Sequence, residues 1–309
     1  MELDEERICA DFDRQVEQGI VIFNKDYQSF VNSDNGFQFE FRLLSGLDRK
    51  PKAGSGEQPA TSLPGRQRSS GPRPGSDIDV SGYEMAEIGP THLLALNKFS
   101  AARPHLLLLT QDGFRRQHEA LDIQDFTALW QVLSSLGGGR KRYLAIFNCG
   151  IDGGCSRLHK HMQLFPAPDA DKFALWPDSS VGPSVQQQVA AGLPFKCFIH
   201  RFENGLPLAD ALLGIYQTLL TQAEDVLDRI HEKKSEETGA DEAIPHNVVL
   251  DRKWILVVPR RAAGVNGADA NAAAMLGMVW VANDQKLRPW MEYGPANVLA
   301  RVGVPADIN

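Results

Sequence analysis

The chain has 309 residues, 43% of them apolar and 23% charged, so it can bury a full hydrophobic core in one large or two modest domains. Its net charge of −7 argues against a general binder of nucleic acid or anionic membrane, which needs an excess of Lys and Arg. A small anionic ligand needs only local basic groups and stays open.

The first residues, MELDEERICADFDRQ, are acidic and polar and read as neither a secretory signal nor a transit peptide. No apolar run approaches the roughly 18 residues that span a bilayer. Cys9, Cys149, Cys155 and Cys197 show no CxxC spacing and read as free thiols of a cytoplasmic chain, with the nucleus also open to it.

In chain order, residues 2–18 carry Leu3, Arg7, Ile8 and Phe12 near one face of a helix. GFQFEFRLL (36–44) alternates Phe37, Phe39, Phe41 and Leu43 with polar residues, the pattern of a half-buried strand. Residues 49–77 are rich in Gly, Pro, Ser and basic side chains without periodicity, a mobile loop that is either a solvated linker or a basic lid. THLLALNKFSAARPHLLLLT (91–110) predicts strand, turn, strand. Residues 122–139 place Ile123, Phe126, Leu129, Trp130, Leu133 and Leu136 at helical spacing, with Gly137 as the stop. RYLAIFN (142–148) is a buried strand entering a glycine-rich loop, and RLHKHMQLF (157–165) alternates again as a strand.

Beyond residue 190 come a strand over 196–202, a long amphipathic helix over 207–234, a hairpin over 246–260 and a strand over 274–282. Strands in hairpin-like pairs with a few helices between them predict an α+β fold with a largely antiparallel sheet. The expected division is an N-terminal catalytic region, 1–190, and a C-terminal region, 191–309.

The chemistry centres on NCGIDGGCSRLHKHMQLFP (148–166). On a strand, His159, His161 and Gln163 share one face and Lys160 and Met162 the other. Glycine lets backbone N–H groups approach a phosphate closely. An imidazole beside such a cradle can attack phosphorus and form a phosphoramidate. The same residues also fit two packed histidines after a turn, a metal pair that lacks obvious further ligands, or a Cys–His arrangement with Cys155 as nucleophile.

HKHMQ fits the HxHxQ motif of the histidine-triad transferases, and NCGIDGGCSRLHKHMQ resembles the fungal diadenosine tetraphosphate phosphorylases, also called ATP adenylyltransferases. LNKFSAARPHLLLLT, HNVVLDRKWILVVPR and LGMVWVA extend the resemblance over about residues 80–300, and more weakly through Lys50-Pro51. It implies a histidine-triad-like antiparallel sheet flanked by helices, with a C-terminal extension packed on it. It implies that His161 is the nucleophile, that it carries an adenylyl group, and that phosphate takes this group to give ADP. His159 would shape the site and orient His161 through its carbonyl. Gln163 stands where hydrolase relatives carry a third histidine, which favours transfer over hydrolysis.

The resemblance further assigns Asn148, Gly154, Cys155 and Ser156 to phosphate, Asn97, Lys98 and Lys50 to substrate contacts, and Asn271 and Met278 to the C-terminal wall. Arg157 either adds a phosphate contact or points to solvent. His105 and His200 read as packed residues, and the tryptophans as core. NAAAML (271–276) and Ala282 depart from a more polar pattern in relatives, which weakens contacts from that half. The expected substrates are dinucleoside polyphosphates, ATP, ADP and phosphate, accompanied by a divalent cation such as Mg²⁺ and no tightly bound organic cofactor. No nucleic-acid or membrane partner is expected, and the expected assembly is a monomer. Hydrolysis of the same substrates and a nucleotide sensor without turnover are the rival readings.

Overall fold

A computed structural model describes residues 3–49, 73–136, 141–179, 192–230 and 242–306. Most of the predicted loop over 49–77, with Lys50, lies outside the described residues, as does Gly137. Among the described residues, thirteen strands and seven α-helices follow the order set out below.

The N-terminal region supplies α1 (Glu5–Glu17), β1 (Gln28–Asp34), β2 (Phe37–Leu43), β3 (Glu84–Ile88), β4 (His92–Leu96), β5 (Leu106–Thr110), α2 (Ile123–Leu136), β6 (Tyr143–Cys149), β7 (His161–Pro166) and α3 (Trp176–Ser179). The C-terminal region supplies β8 (Phe198–Arg201), α4 (Ala209–Ile230), β9 (His246–Leu250), β10 (Trp254–Pro259), the short pair β11 (Gly264–Val265) and β12 (Ala268–Asp269), α5 (Ala272–Met275), β13 (Met278–Val281), α6 (Asp284–Tyr293) and α7 (Pro295–Val302).

Eight strands form one antiparallel sheet in the order β3-β4-β5-β7-β6-β9-β10-β8. Strands β6 and β9 pair at its centre, so this sheet is built from both sides of residue 190. A second sheet, β1-β2-β13, joins the two sides again, because β13 pairs parallel with β2.

Helices α1, α2 and α4 cover one face of the large sheet, with Phe12, Phe126, Leu129, Leu212 and Tyr216 packed on Leu108, Met162 and Leu164. The small sheet and the C-terminal helices cover the other face, through Phe39, Phe41, Met275, Trp290 and Leu299 against Ile146, Phe165 and Val249. Phe37, Phe39 and Phe41 are all buried on β2. Burying each phenyl contributes about 1.5–3 kcal/mol, and a one-residue slip would expose all three.

Two strand predictions shorten. The strand expected over 157–165 begins only at His161, and His159 makes an isolated bridge to Arg116. The strand expected over 274–282 is a helical turn, α5, followed by β13. Gly277 separates them at φ +88°, where a Cβ would stand 2.4 Å from the Gln38 carbonyl oxygen. A left-handed residue with no room for a side chain ends one element and starts the next.

Candidate active site

Strand β6 runs into a tight loop. A Cβ on Gly153 would meet the Cys149 carbonyl oxygen at 2.1 Å, and one on Gly154 (φ +83°) would meet the Ala270 carbonyl oxygen at 2.4 Å. Glycine is therefore required for the loop to fold on itself and to lie against residues 270–271. Several of its N–H groups are already used. Gly150 donates to the Gln117 carbonyl at 3.0 Å, Gly154 to Ile151 at 2.8 Å and Cys155 to Gly150 at 3.3 Å. At these three positions the N–H groups are spent on loop carbonyls. Burial pushes the Cys155 thiol up from its ordinary value, so this loop cysteine is no thiolate nucleophile.

His161 is 7% exposed. Its Nδ1–H donates to the His159 carbonyl at 2.8 Å, which places the lone pair on Nε2. Its backbone is held by Gln117, whose Oε1 accepts from the His161 N–H at 2.8 Å and whose Nε2 donates to the His161 carbonyl at 3.0 Å. Gln117 was not singled out in the sequence, where RRQHEA shows no pattern.

The His159 ring does not share the site face. Thr110 Oγ1 donates to the Asp112 carbonyl, so it accepts from His159 Nε2 at 2.8 Å, and Ser76 Oγ lies 2.7 Å from Nδ1. Asp77 accepts from the N–H groups of Leu158 and His159. Burial lowers the His159 pKa and keeps the ring neutral. His159 therefore acts on His161 through its carbonyl, and the shared-face expectation fails because no strand extends that far back.

Lys160 points to the opposite side and is 1% exposed. Its Nζ lies 2.6 Å from Asp125 Oδ2, and Asp125 Oδ1 lies 3.0 Å from His92 Nε2. Burial alone would raise the Asp125 carboxyl. The His92 hydrogen bond and the Lys160 charge override it and hold the pKa at about 2.

On the site side, Gln163 Oε1 meets His105 Nε2 at 3.0 Å. The His105 ring packs edge-on against Phe165 and Trp280. Asn97 Nδ2 lies 3.3 Å from the same His105 nitrogen, and Lys98 follows it, half-buried, with its carbonyl accepting from Ile22.

Asn148 is buried. Its Oδ1 accepts from Asn247 Nδ2 at 3.0 Å and from the Ala272 N–H at 2.8 Å. Asn247 also bonds the Gly153 carbonyl and Arg260. Arg260 is 1% exposed, and its donors meet the oxygens of Gly153, Asn247, Ala262, Ala270 and Val302, all neutral acceptors. Burial lowers its pKa to about 9, against the positive pull of Asp152. A buried cation thus clamps the glycine loop to residues 262–270. Asn271 caps α5 by accepting from the Ala274 N–H at 3.2 Å. Ser156 and Arg157 are half-buried beside the loop. Met278 is a correction: at 1% exposure it packs in the core, on β13 beside β2.

The fold is a largely antiparallel sheet flanked by helices, with a buried imidazole beside a glycine loop. Residues 9–180 match the family model described as Ap4A phosphorylase N-terminal domain, and 191–305 match ATP adenylyltransferase C-terminal domain. The chain belongs to the Ap4A phosphorylase family. It is 29% identical over 216 residues to diadenosine 5',5'''-P1,P4-tetraphosphate phosphorylase 2 of Saccharomyces cerevisiae, an alignment spanning 63% of each chain. Protein APA1 of the same yeast is 28% identical over 62% of each chain. The crystal structure of yeast Ap4A phosphorylase Apa2 superposes with a TM-score of 0.73 at 23% identity, covering 100% of this chain and 98% of that one. Apa2 in complex with Ap4A gives 0.72 at 22% identity over 99% of each. These likenesses establish the shared fold.

Proposed function

We propose that this protein phosphorolyses diadenosine tetraphosphate to ADP and ATP, reversibly, through an adenylyl-His161 intermediate. The carrying observation is the 2.8 Å bond from His161 Nδ1–H to the His159 carbonyl, which leaves Nε2 as the nitrogen that can attack. In the first half-reaction Nε2 attacks the α-phosphorus and the bond from that phosphorus to its bridging oxygen breaks. ATP leaves with the bond's electron pair. In the second, a phosphate oxygen attacks the adenylyl phosphorus, the N–P bond breaks, and ADP departs from restored His161.

The family match supports the substrate class, as do the names of the yeast relatives. The methyl groups of Ala272, Ala273 and Ala274 lie in the core, and this segment meets Asn148 through the Ala272 N–H, so the lost hydroxyls matter less than their sequence position implies. A divalent cation would travel with the polyphosphate. Among the described residues, no group of three or more His, Cys, Asp or Glu side chains is placed to hold one.

The test is to incubate the protein with diadenosine tetraphosphate, with and without phosphate, and separate the nucleotides. ADP plus ATP that requires phosphate and is abolished by His161→Ala is the expected result. AMP plus ATP without phosphate would make the protein a hydrolase. Binding without turnover would make it a sensor.

A further inference from the structure

A backbone amide sets the orientation of the Gln163 side chain, through His105. The Ala101 N–H donates to His105 Nδ1 at 3.1 Å. A backbone amide can only donate, so Nδ1 is the unprotonated nitrogen and the ring is the neutral Nε2–H tautomer. His105 Nε2 lies 3.0 Å from Gln163 Oε1. With the proton on Nε2, this contact is a donation to the glutamine carbonyl oxygen. The flipped amide would set two donors against each other. Gln163 is therefore locked with Oε1 toward His105 and its Nε2 amide turned away from it.

A second backbone amide pins the neighbour in the same manner. The Phe99 N–H donates to Asn97 Oδ1 at 3.1 Å, so Asn97 presents Nδ2 to this cluster. Its 3.3 Å approach to His105 Nε2 is then a contact of two donors, which leaves the Gln163 oxygen as the acceptor for the histidine proton. The ring cannot swing to another arrangement. It is 2% exposed and wedged edge-on between Phe165, at 5.5 Å, and Trp280, at 5.8 Å.

Gln163 lies two residues beyond His161 on β7, on the same strand face, about 6–7 Å along it. We propose that His105 is a positioning residue for the transfer. It holds Gln163 so that the amide N–H groups, and not the carbonyl oxygen, face the phosphoryl group carried by His161. A donor fixed there opposes the negative charge that builds on the phosphoryl oxygens, whereas a carbonyl would repel it. This inference rests on the functional reading given above.

The test is a double-mutant cycle on the full chain, read as the single-turnover rate of adenylyl transfer from diadenosine tetraphosphate. His105→Phe keeps an aromatic ring between Phe165 and Trp280 and removes both hydrogen-bonding roles. The expected loss is roughly 10–100-fold in rate, with KM within about threefold. The double variant with Gln163→Ala should be no slower than Gln163→Ala alone, within about twofold, because His105 acts only by orienting the donor that Gln163→Ala removes. His105→Gln retains an N–H₂ toward residue 163 and should recover much of the rate. Losses that multiply independently in an otherwise active enzyme would overturn the role of His105 alone. A wild-type protein without turnover would instead remove the functional reading, and this role with it. A second measurement needs no variant to fold: in ¹⁵N-histidine-labelled protein His105 should show an unprotonated Nδ1 and a protonated Nε2. The opposite tautomer at neutral pH would also overturn the proposal.

Discussion

Gln117 occupies the place of a missing ladder between β6 and the nucleophile. The antiparallel pairing of β6 with β7 ends at Ile146 opposite Gln163. Beyond that point the strands part, and the Gln117 side chain enters between Asn148 and His161. Its Nε2 donates to the carbonyls of both, at 3.0 Å each, and its Oε1 accepts the His161 N–H. A side-chain amide thus supplies the donors and acceptor that a neighbouring strand would have supplied.

Removing it leaves buried backbone groups of His161 without partners. Gln117→Met is expected to cost about 1–3 kcal/mol of stability, the price of unsatisfied buried groups. It should also slow adenylyl transfer by more than it raises KM, since the nucleophile loses its frame while the substrate contacts stand. Thermal melting and single-turnover kinetics on the same preparation would check this. Unchanged kinetics in a destabilised protein would show that the frame does not govern attack.

Much of this arrangement is readable from sequence where one period dominates. The alternation on β2, the strand–turn–strand of β4 and β5 and the β9–β10 hairpin all follow from apolar pattern and turn residues. What fails is set by contacts distant in the chain. Gln117 has no local signature because its partners are 31 and 44 residues away. The expectation that the His159 ring shares a face with His161 failed because Ser76 and Thr110 capture that ring, while the expected carbonyl contact to His161 stands. Helices α6 and α7 were not predicted; Pro289 lies inside the first and Pro295 opens the second after Gly294. The Asn283 cap, which accepts from the Lys286 N–H, was the available signal for α6.

The pH dependence of stability should carry the mark of His246. Its Nδ1–H donates to the Ile244 carbonyl at 2.7 Å and its Nε2 faces the Tyr216 hydroxyl at 2.9 Å. Burial lowers its pKa to about 4 from the 6.5 of an exposed imidazole. The unfolded chain therefore takes up the proton first. Stability is full above pH 6.5 and falls as pH drops toward 4, by on the order of 3 kcal/mol from this residue. The lowered pKa values of His159 and His200 add in the same direction. Denaturant unfolding at pH 7 and pH 4.5 should show His246→Phe to be less stable than wild type at pH 7 but less sensitive to the change. An equal slope in both proteins would contradict this.

Gly150 and Gly154 separate two reasons for glycine in one loop. Both have positive φ, +73° and +83°. At Gly150 a Cβ meets nothing within 4 Å, whereas at Gly154 it would press on Ala270 and Asn271. Gly150→Ala should cost only about 1 kcal/mol, from backbone strain. Gly154→Ala must also displace the segment that Arg260 clamps, so the larger loss of stability and the larger rise in KM are expected there. Comparable effects at both positions would show that conformation alone decides.

Lys160 and Asp125 anchor the reverse side of the nucleophile strand. Lys160 Nζ reaches Asp125 and the Ala120 carbonyl, both at 2.6 Å, while the adjacent residue, His161, faces the site. Lys160→Met leaves a buried carboxylate with His92 as its remaining side-chain partner, and breaking such a pair costs about 3–5 kcal/mol. The double variant Lys160→Met/Asp125→Leu removes both charges and should recover part of that loss, because neither desolvation cost remains. The wild-type pair also has an acid limit. The Asp125 pKa is depressed to about 2, so its stabilisation is present above the ordinary carboxylate range and is lost as pH falls through that value. Unfolding of the single and double variants at pH 7 would decide the matter: if the double variant is no more stable than Lys160→Met, the stranded charge is not the cause of the loss.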